Sequence, residues 1–282
     1  MKKSTKTLII IASLLIAAGL ILFTVTMSLL NWDFRRLSTF NYTEKTYEIA
    51  EEFEDISVVS DTADIIFAPS KDGSVSVVCY EQEQLPYTVE VQKGRLTIAL
   101  SDERRWYDYI GIGFDTSSIT VYLPEAVYGN LAIKSGTGDL ELPQDFTFKN
   151  IDVSLSTGDV TNRASALENI KFSLSTGKIL AENVTCKNFT SSTDTGNLVL
   201  NKVVADETLK ITTSTGDVTF SRVDGAKLNI KTDTGNISGS LLSPKVFTAK
   251  TNTGIVCVPD TSVGGSCELS TTTGDISVYL EE

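Results

Sequence analysis

The tripeptide Thr-Gly-(Asp/Asn) returns down the C-terminal half of this chain inside a fixed apolar frame. Its glycines are Gly138, Gly158, Gly177, Gly196, Gly216, Gly235, Gly254 and Gly274, separated by 20, 19, 19, 20, 19, 19 and 20 residues. A period that short and that regular belongs to stacked coils, in which each repeat contacts its neighbours and none folds alone.

The frame around the glycine fixes the kind of coil. Seven residues before it stand Leu131, Ile151, Ile170, Phe189, Leu209, Leu228, Phe247 and Cys267. Five before it stand Ile133, Val153, Phe172, Ser191, Ile211, Ile230, Ala249 and Leu269. Two after it stand Leu140, Val160, Ile179, Leu198, Val218, Ile237, Val256 and Ile276. The positions between are mostly Ser, Thr, Asn, Lys and Asp. Apolar residues at period two, many of them β-branched or aromatic, predict strands with one buried face. Each repeat reads as strand, corner, strand and return. The corner glycine supplies a backbone conformation with φ > 0, and the neighbouring Asp139, Asp159, Asn197, Asp217, Asn236 and Asp275 suit a turn because their side chains hydrogen-bond local backbone. The expected fold is all-β: a parallel β-solenoid of about eight regular coils, preceded by an N-terminal transmembrane helix and an irregular β cap. A degenerate earlier copy, Ile56, Val58, Ser60, Ala63, Ile65 and Phe67, carries alanine where the glycine belongs, and the stack is expected to begin there with a differently shaped corner.

The chain divides into four stretches. Residues 1–30 read as a cytoplasmic N-terminus and membrane anchor, 31–47 as a polar stalk, 48–130 as the β cap with the degenerate repeat, and 131–282 as the solenoid. Leu8–Leu30 is uncharged and long enough as a helix to cross a bilayer at 1.5 Å per residue. Lys2, Lys3 and Lys6 ahead of it favour an N-terminus inside, which places the C-terminal part outside the cytoplasm. Arg35 and Arg36 beyond the run weaken that asymmetry. A cleaved signal peptide is the rival reading, against which stand the length of the run and the lack of a clear Ala-x-Ala site. Within the cap, Val75–Tyr80, Tyr87–Gln92, Arg95–Leu100 and Ile119–Leu123 read as strands, with Lys93-Gly94 as a tight hairpin turn.

Composition excludes several functions. The sequence has no histidine, which removes Ser-His-Asp and Cys-His catalysis and most zinc sites. A net charge of −12 without a basic run disfavours nucleic acid. No phosphate-binding glycine loop stands between a strand and a helix, and no cofactor or metal is expected. Calcium held by the Asp/Asn corners competes with plain turn chemistry, and Lys178 and Ile255 interrupt that row. Of the four cysteines, Cys267 takes an inward slot and Cys257 an outward one. A bridge between these two is left open.

The segment Ser101–Ser118 holds Arg104, Arg105, Trp106, Tyr107, Tyr109 and Phe114. Arg105, Trp106, Tyr107 and Tyr109 are the candidate contacts for a partner, since aromatic faces beside arginines suit sugar rings or a protein anchor. The alternative is a plug over the end of the stack. The last strand finishes beside the C-terminus, so the final coil is expected to present an open edge for a partner or a second copy.

Together, the apolar N-terminal run, the Ile56–Phe67 copy, the stretch ITVYLPEAVYGNLAIKSGTGDLEL and the corners STGDV, DTGNI and TTGDI resemble the DUF4097 family of adhesin-like β-repeat proteins. The resemblance covers roughly Glu48–Leu280. It implies a non-enzymatic, envelope-located β-solenoid, with membrane-anchored members similar to envelope-stress-locus proteins of Gram-positive bacteria. The expected function is binding or display at the cell membrane, with an envelope protein or polysaccharide as partner. The other readings are a carbohydrate-active β-helix enzyme using carboxylates and an accessory or sensor subunit of an envelope-stress system.

Overall fold

The computed structural model describes residues 3–38, 40–101 and 116–281. It opens with helix α1 (Lys3–Leu29), whose apolar side chains are almost all exposed, and a short 3-10 helix (Phe34–Leu37). Everything else is strand and turn, joined in one twenty-stranded sheet system.

The cap strands are β1 (Tyr42–Ile49), β2 (Asp55–Val59), β3 (Ala63–Pro69), β4 (Val75–Gln82), β5 (Tyr87–Gln92), β6 (Arg95–Leu100) and β7 (Ser117–Leu123). The expected strands of this region are all present, and Lys93 and Gly94 both take positive φ in the β5–β6 turn. The stalk is shorter than expected. Its C-terminal part, from Tyr42, is strand β1, paired antiparallel to β4 from Tyr42↔Gln82 to Ile49↔Val75. As an edge strand with few buried side chains it carries little apolar signal.

The regular coils follow. They comprise β8 (Val127–Thr137), β9 (Leu140–Leu142), β10 (Thr147–Thr157), β11 (Val160–Asn162), β12 (Ser165–Thr176), β13 (Ile179–Thr195), β14 (Leu198–Thr215), β15 (Val218–Thr234) and β16 (Ile237–Leu241). The last are β17 (Lys245–Thr253), β18 (Val256–Cys257), β19 (Gly265–Thr273) and β20 (Ile276–Leu280). Each glycine corner joins a strand on one face to a strand on the other. All coil-to-coil pairing is parallel, as in Val153↔Phe172 and Ile179↔Leu198, and the register shifts at the return, as between Cys186 and Asn188. The inward frame is the core: Leu131, Ile151, Ile170, Phe189, Leu209, Leu228 and Cys267 are each at most 1% exposed. Burial of each large aliphatic side chain contributes about 1.5–3 kcal/mol, and the rows from neighbouring coils make one interior. A second corner falls at Asn183, Lys202 and Arg222, all with positive φ.

The order of the coils differs from their order in the chain at both ends. On the face before the corner the order is β6, β2, β8, β10, β12, β13, β14, β15, β19, β17. The face after the corner agrees: β7, β3, β9, β11, β13, β14, β15, β16, β20, β18. The degenerate Ile56–Phe67 copy thus lies one coil in from its end, with β6–β7 outside it. The final coil, β19–β20, likewise lies inside, between the Gly235 coil and the Gly254 coil. This corrects the expectation that the last coil forms the open edge; the outermost coil is β17–β18.

Two glycines explain how the last coil fits. A Cβ on Gly264 would stand 1.9 Å from the Pro244 carbonyl oxygen, and one on Gly265 would stand 2.0 Å from that of Ala226. The chain enters β19 through a gap that admits backbone alone. Beside it, Lys245 is 3% exposed, and its Nζ donates to Asp224 Oδ1 at 2.5 Å and to Ser243 Oγ at 2.6 Å. That pair ties the start of β17 to β15 across the coil between them.

Candidate functional site

The corner row is the most regular polar feature of the surface. Its glycines have φ between +128° and +156°. Close approach demands glycine as well. A Cβ at Gly158 would sit 2.0 Å from the Gly138 carbonyl oxygen, and at Gly216 2.0 Å from that of Gly196. Ala63, at the degenerate corner, is absent from the positive-φ residues. Each corner Asp or Asn turns Oδ1 to the next coil's backbone. Asp159 N–H donates to Asp139 at 2.8 Å, Lys178 N–H to Asp159 at 2.7 Å, and Asp217 N–H to Asn197 at 3.0 Å. Asp275 N–H donates to Asn236 at 2.8 Å and Ile255 N–H to Asp275 at 2.8 Å, in the exchanged order. The row is therefore turn chemistry extended between coils. Ile255 does not interrupt it. The Gly254 coil is the last in the stack, so no further N–H needs an acceptor there. Lys178 is a true gap, since lysine has no acceptor for the N–H of Asn197.

A second ladder, of asparagine side chains, runs along the stack. Asn150 donates to Asn130 at 2.8 Å, Asn169 to Asn150 at 2.8 Å and Asn188 to Asn169 at 3.2 Å. Asn130 in turn donates to Asp55 at 2.9 Å. The signal was an asparagine eight residues before each of four consecutive glycines. On an outward face it passed as ordinary polar surface.

The candidate contacts Arg105, Trp106, Tyr107 and Tyr109, with Arg104 and Phe114, lie outside the described residues. In the sequence that segment stands between β6 and β7. The N-terminal end of the stack is covered by the chain itself, with β5 antiparallel on β6 and β4 antiparallel on β7. The cover is fastened by a buried cluster. Glu81, fully buried, accepts from the Tyr87 N–H at 2.6 Å and pairs with Lys45 Nζ at 2.5 Å. The Tyr87 hydroxyl meets Ser60 Oγ at 2.7 Å, and burial pushes its pKa up to about 12. Beside the cap, a cleft of about 740 Å³ has Ile49, Glu51, Glu52, Phe53, Pro124 and Tyr128 among its lining.

Among the described residues the opposite end has no such cover. β17 pairs with β19 alone and β18 with β20 alone. In the other coils the corner glycine N–H donates to a threonine carbonyl of the next coil, as Gly216 does to Thr234 at 2.9 Å and Gly274 to Thr253 at 2.9 Å. Among the described residues no coil stands beyond Gly254 to accept its N–H. The inward residues Phe247, Ala249 and Val258 are only partly buried, and Ile255 is 71% exposed. Cys257 is exposed, whereas Cys79, Cys186 and Cys267 are buried, and all four are free.

The profile of the Toastrack DUF4097 family matches residues 53–188 and again residues 162–282. Among solved structures, a candidate adhesin from Bacteroides fragilis superposes with a TM-score of 0.55 at 14% identity, over 85% of this chain and 97% of that one. A candidate adhesin from Parabacteroides distasonis has a TM-score of 0.49 at 13% identity, over 85% and 98%. The first of these likenesses shows a shared fold. No curated protein matches the sequence.

Proposed function

This chain belongs to the Toastrack DUF4097 family, and from that membership we propose that it is a membrane-anchored, extracytoplasmic binding and display module without enzymatic activity. One observation carries the reading: the two ends of the stack are unlike. The apolar helix, with a span of Thr5–Leu29, leads within a dozen or so residues into β1, part of the cover on the N-terminal end. The other end finishes in an open coil. At about 4.8 Å per coil, the eight glycine coils alone put that coil roughly 34 Å from the Gly138 coil. A helix at the covered end and a contact surface at the other is the arrangement of a spacer that presents its tip. Arg105, Trp106, Tyr107 and Tyr109 are the second candidate contact region, for an envelope protein or polysaccharide.

Cys257 provides the test. A membrane-impermeant maleimide added to intact cells labels it if the solenoid lies outside the cytoplasm. Labelling that requires permeabilised cells would overturn the reading. Crosslinked pull-downs from native membranes with Trp106→Ala/Tyr107→Ala then ask whether that segment carries the partner; identical partners in both would remove it from the proposal.

A further inference from the structure

We propose that the open β17–β18 coil is the contact surface for a second copy of this chain, joined end to end by antiparallel pairing of like edges. Four observations select that occupant. First, both faces of the coil finish in free ladder edges, β17 on one and β18 on the other. A single extended peptide would satisfy one edge, whereas another coil end satisfies both. Second, the outer strand of the N-terminal end of a neighbouring copy is β1, which carries the exposed charges Glu44, Lys45 and Glu48. A charged edge disfavours head-to-tail contact with an apolar rim, and the like end remains, which gives a closed two-fold pair rather than a filament. Third, residues 242–264 carry three charged side chains, Lys245, Lys250 and Asp260, and Lys245 is buried against Asp224. A chain of net charge −12 approaches its copy with least repulsion through this face. Fourth, apolar side chains line the rim, with Val246 45%, Ile255 71% and Val263 63% exposed.

The interface is small. β17 has nine residues, so the end face is roughly 30 Å by 15 Å, or about 450 Å² per copy. Specific stable interfaces bury about 800 Å² per partner. The pair is therefore weak in dilute solution and depends on the ladder bonds as well as on apolar area.

The inference stands on the end coil alone, so it can fail while the membrane location holds, and the reverse. Cys257 is the exposed thiol; burial pushes the thiols of Cys79, Cys186 and Cys267 up to about 12, which keeps them unreactive at neutral pH. The full chain, spin-labelled at Cys257 and concentrated in detergent micelles, should give a defined label-to-label distance no longer than the end face, roughly 30 Å. Thr248→Pro should abolish it. Thr253 accepts from Gly274, so by the alternation of a parallel ladder the Thr248 N–H points away from β19, and proline there removes a donor from the free edge only. Ile255→Lys, at an exposed position, should abolish it by setting like charges face to face. Unlabelled melting curves confirm that each variant is folded, and if one is not, the other decides. A wild-type chain without a defined distance, a distance longer than the end face, or a short distance that survives a folded variant would each overturn the proposal.

Discussion

Exchanged coil order makes a prediction that an ordinary solenoid reading contradicts. Lys231 lies opposite Ser270, one strand spacing away, because β19 follows β15. Lys250 pairs with the far side of Ser270, which places it two spacings from Lys231, roughly 9.6 Å. A disulfide needs Cα atoms about 4.4–6.8 Å apart. In a Cys257→Ser background, Lys231→Cys/Ser270→Cys should therefore oxidise to a bridge, and Lys231→Cys/Lys250→Cys should not, although its positions are nearer in sequence. The first bridge closes a loop of about 40 residues, for which chain entropy gives about 4 kcal/mol of stabilisation. At about 2–4 °C per kcal/mol for a domain of this size, oxidation should raise the melting temperature by up to roughly 8–16 °C. Non-reducing gel mobility and peptide mass mapping read the bridge, and melting with and without reductant reads its effect. Efficient bridging of the 231/250 pair, with none at 231/270, would restore sequential stacking and remove the exchange.

Gly216→Ala sets a Cβ 2.0 Å from the Gly196 carbonyl oxygen at φ +156°; about 1–2 kcal/mol of backbone strain and about 1–3 kcal/mol of overpacking should lower the denaturation midpoint, and an unchanged midpoint would refute the close approach. Lys178→Asn supplies the missing acceptor for the N–H of Asn197 and should add about 0.5–1.5 kcal/mol, measured by urea denaturation; a loss of stability would count against the ladder. Two carboxylates should mark acid unfolding. The Asn130 backbone N–H at 2.7 Å, then the Asn130 side chain and Arg95, hold Asp55 below the ordinary carboxylate value against the effect of burial. Burial opposes the Asp224 carboxylate too, but bonds from Lys245, Ser243 and the Gly225 N–H outweigh it. Both folded values lie below the unfolded value of about 3.9, so their contribution is full above that pH and is lost as pH falls through the folded values. Urea midpoints from pH 5 downward should fall less steeply in Asp55→Asn and Asp224→Asn than in the wild type, and parallel curves would contradict the assignment.

What the sequence made legible was local. Corner glycines announce themselves because positive φ and a carbonyl 2 Å from the missing Cβ leave no other residue a place. The period-two frame reveals the buried face for the same reason, since a slip by one residue would turn Leu228 or Ile230 outward. Order along the stack is not local. Leu228 packs beside Cys267 instead of Phe247, and both candidates fill the same inward slot, so the frame cannot choose between them. The cue lay in Gly264-Gly265, adjacent glycines outside the corner period, which are needed where β19 passes between Pro244 and Ala226. The second corner was hidden for a different reason. Asn183 is at home at positive φ, but Lys202 and Arg222 are not, and no common residue type marks the three positions. Of the candidate site, composition alone was legible at Arg105, Trp106, Tyr107 and Tyr109, which lie outside the described residues.

Because the C-terminal coil lies one coil inside its end of the stack, that end cannot be lengthened by adding repeats after the last strand. A copy appended after Leu280 would emerge from a buried layer and meet β17–β18 already in place. Only the central coils, from Gly158 to Gly216, stack in chain order with neighbours on both sides. Duplication or loss there, in whole units of 19 or 20 residues, shifts one end relative to the other by about 4.8 Å per unit and leaves both end assemblies intact. The length of such a protein, and with it the reach of its tip from the membrane, is thus adjustable in steps by changes confined to its middle.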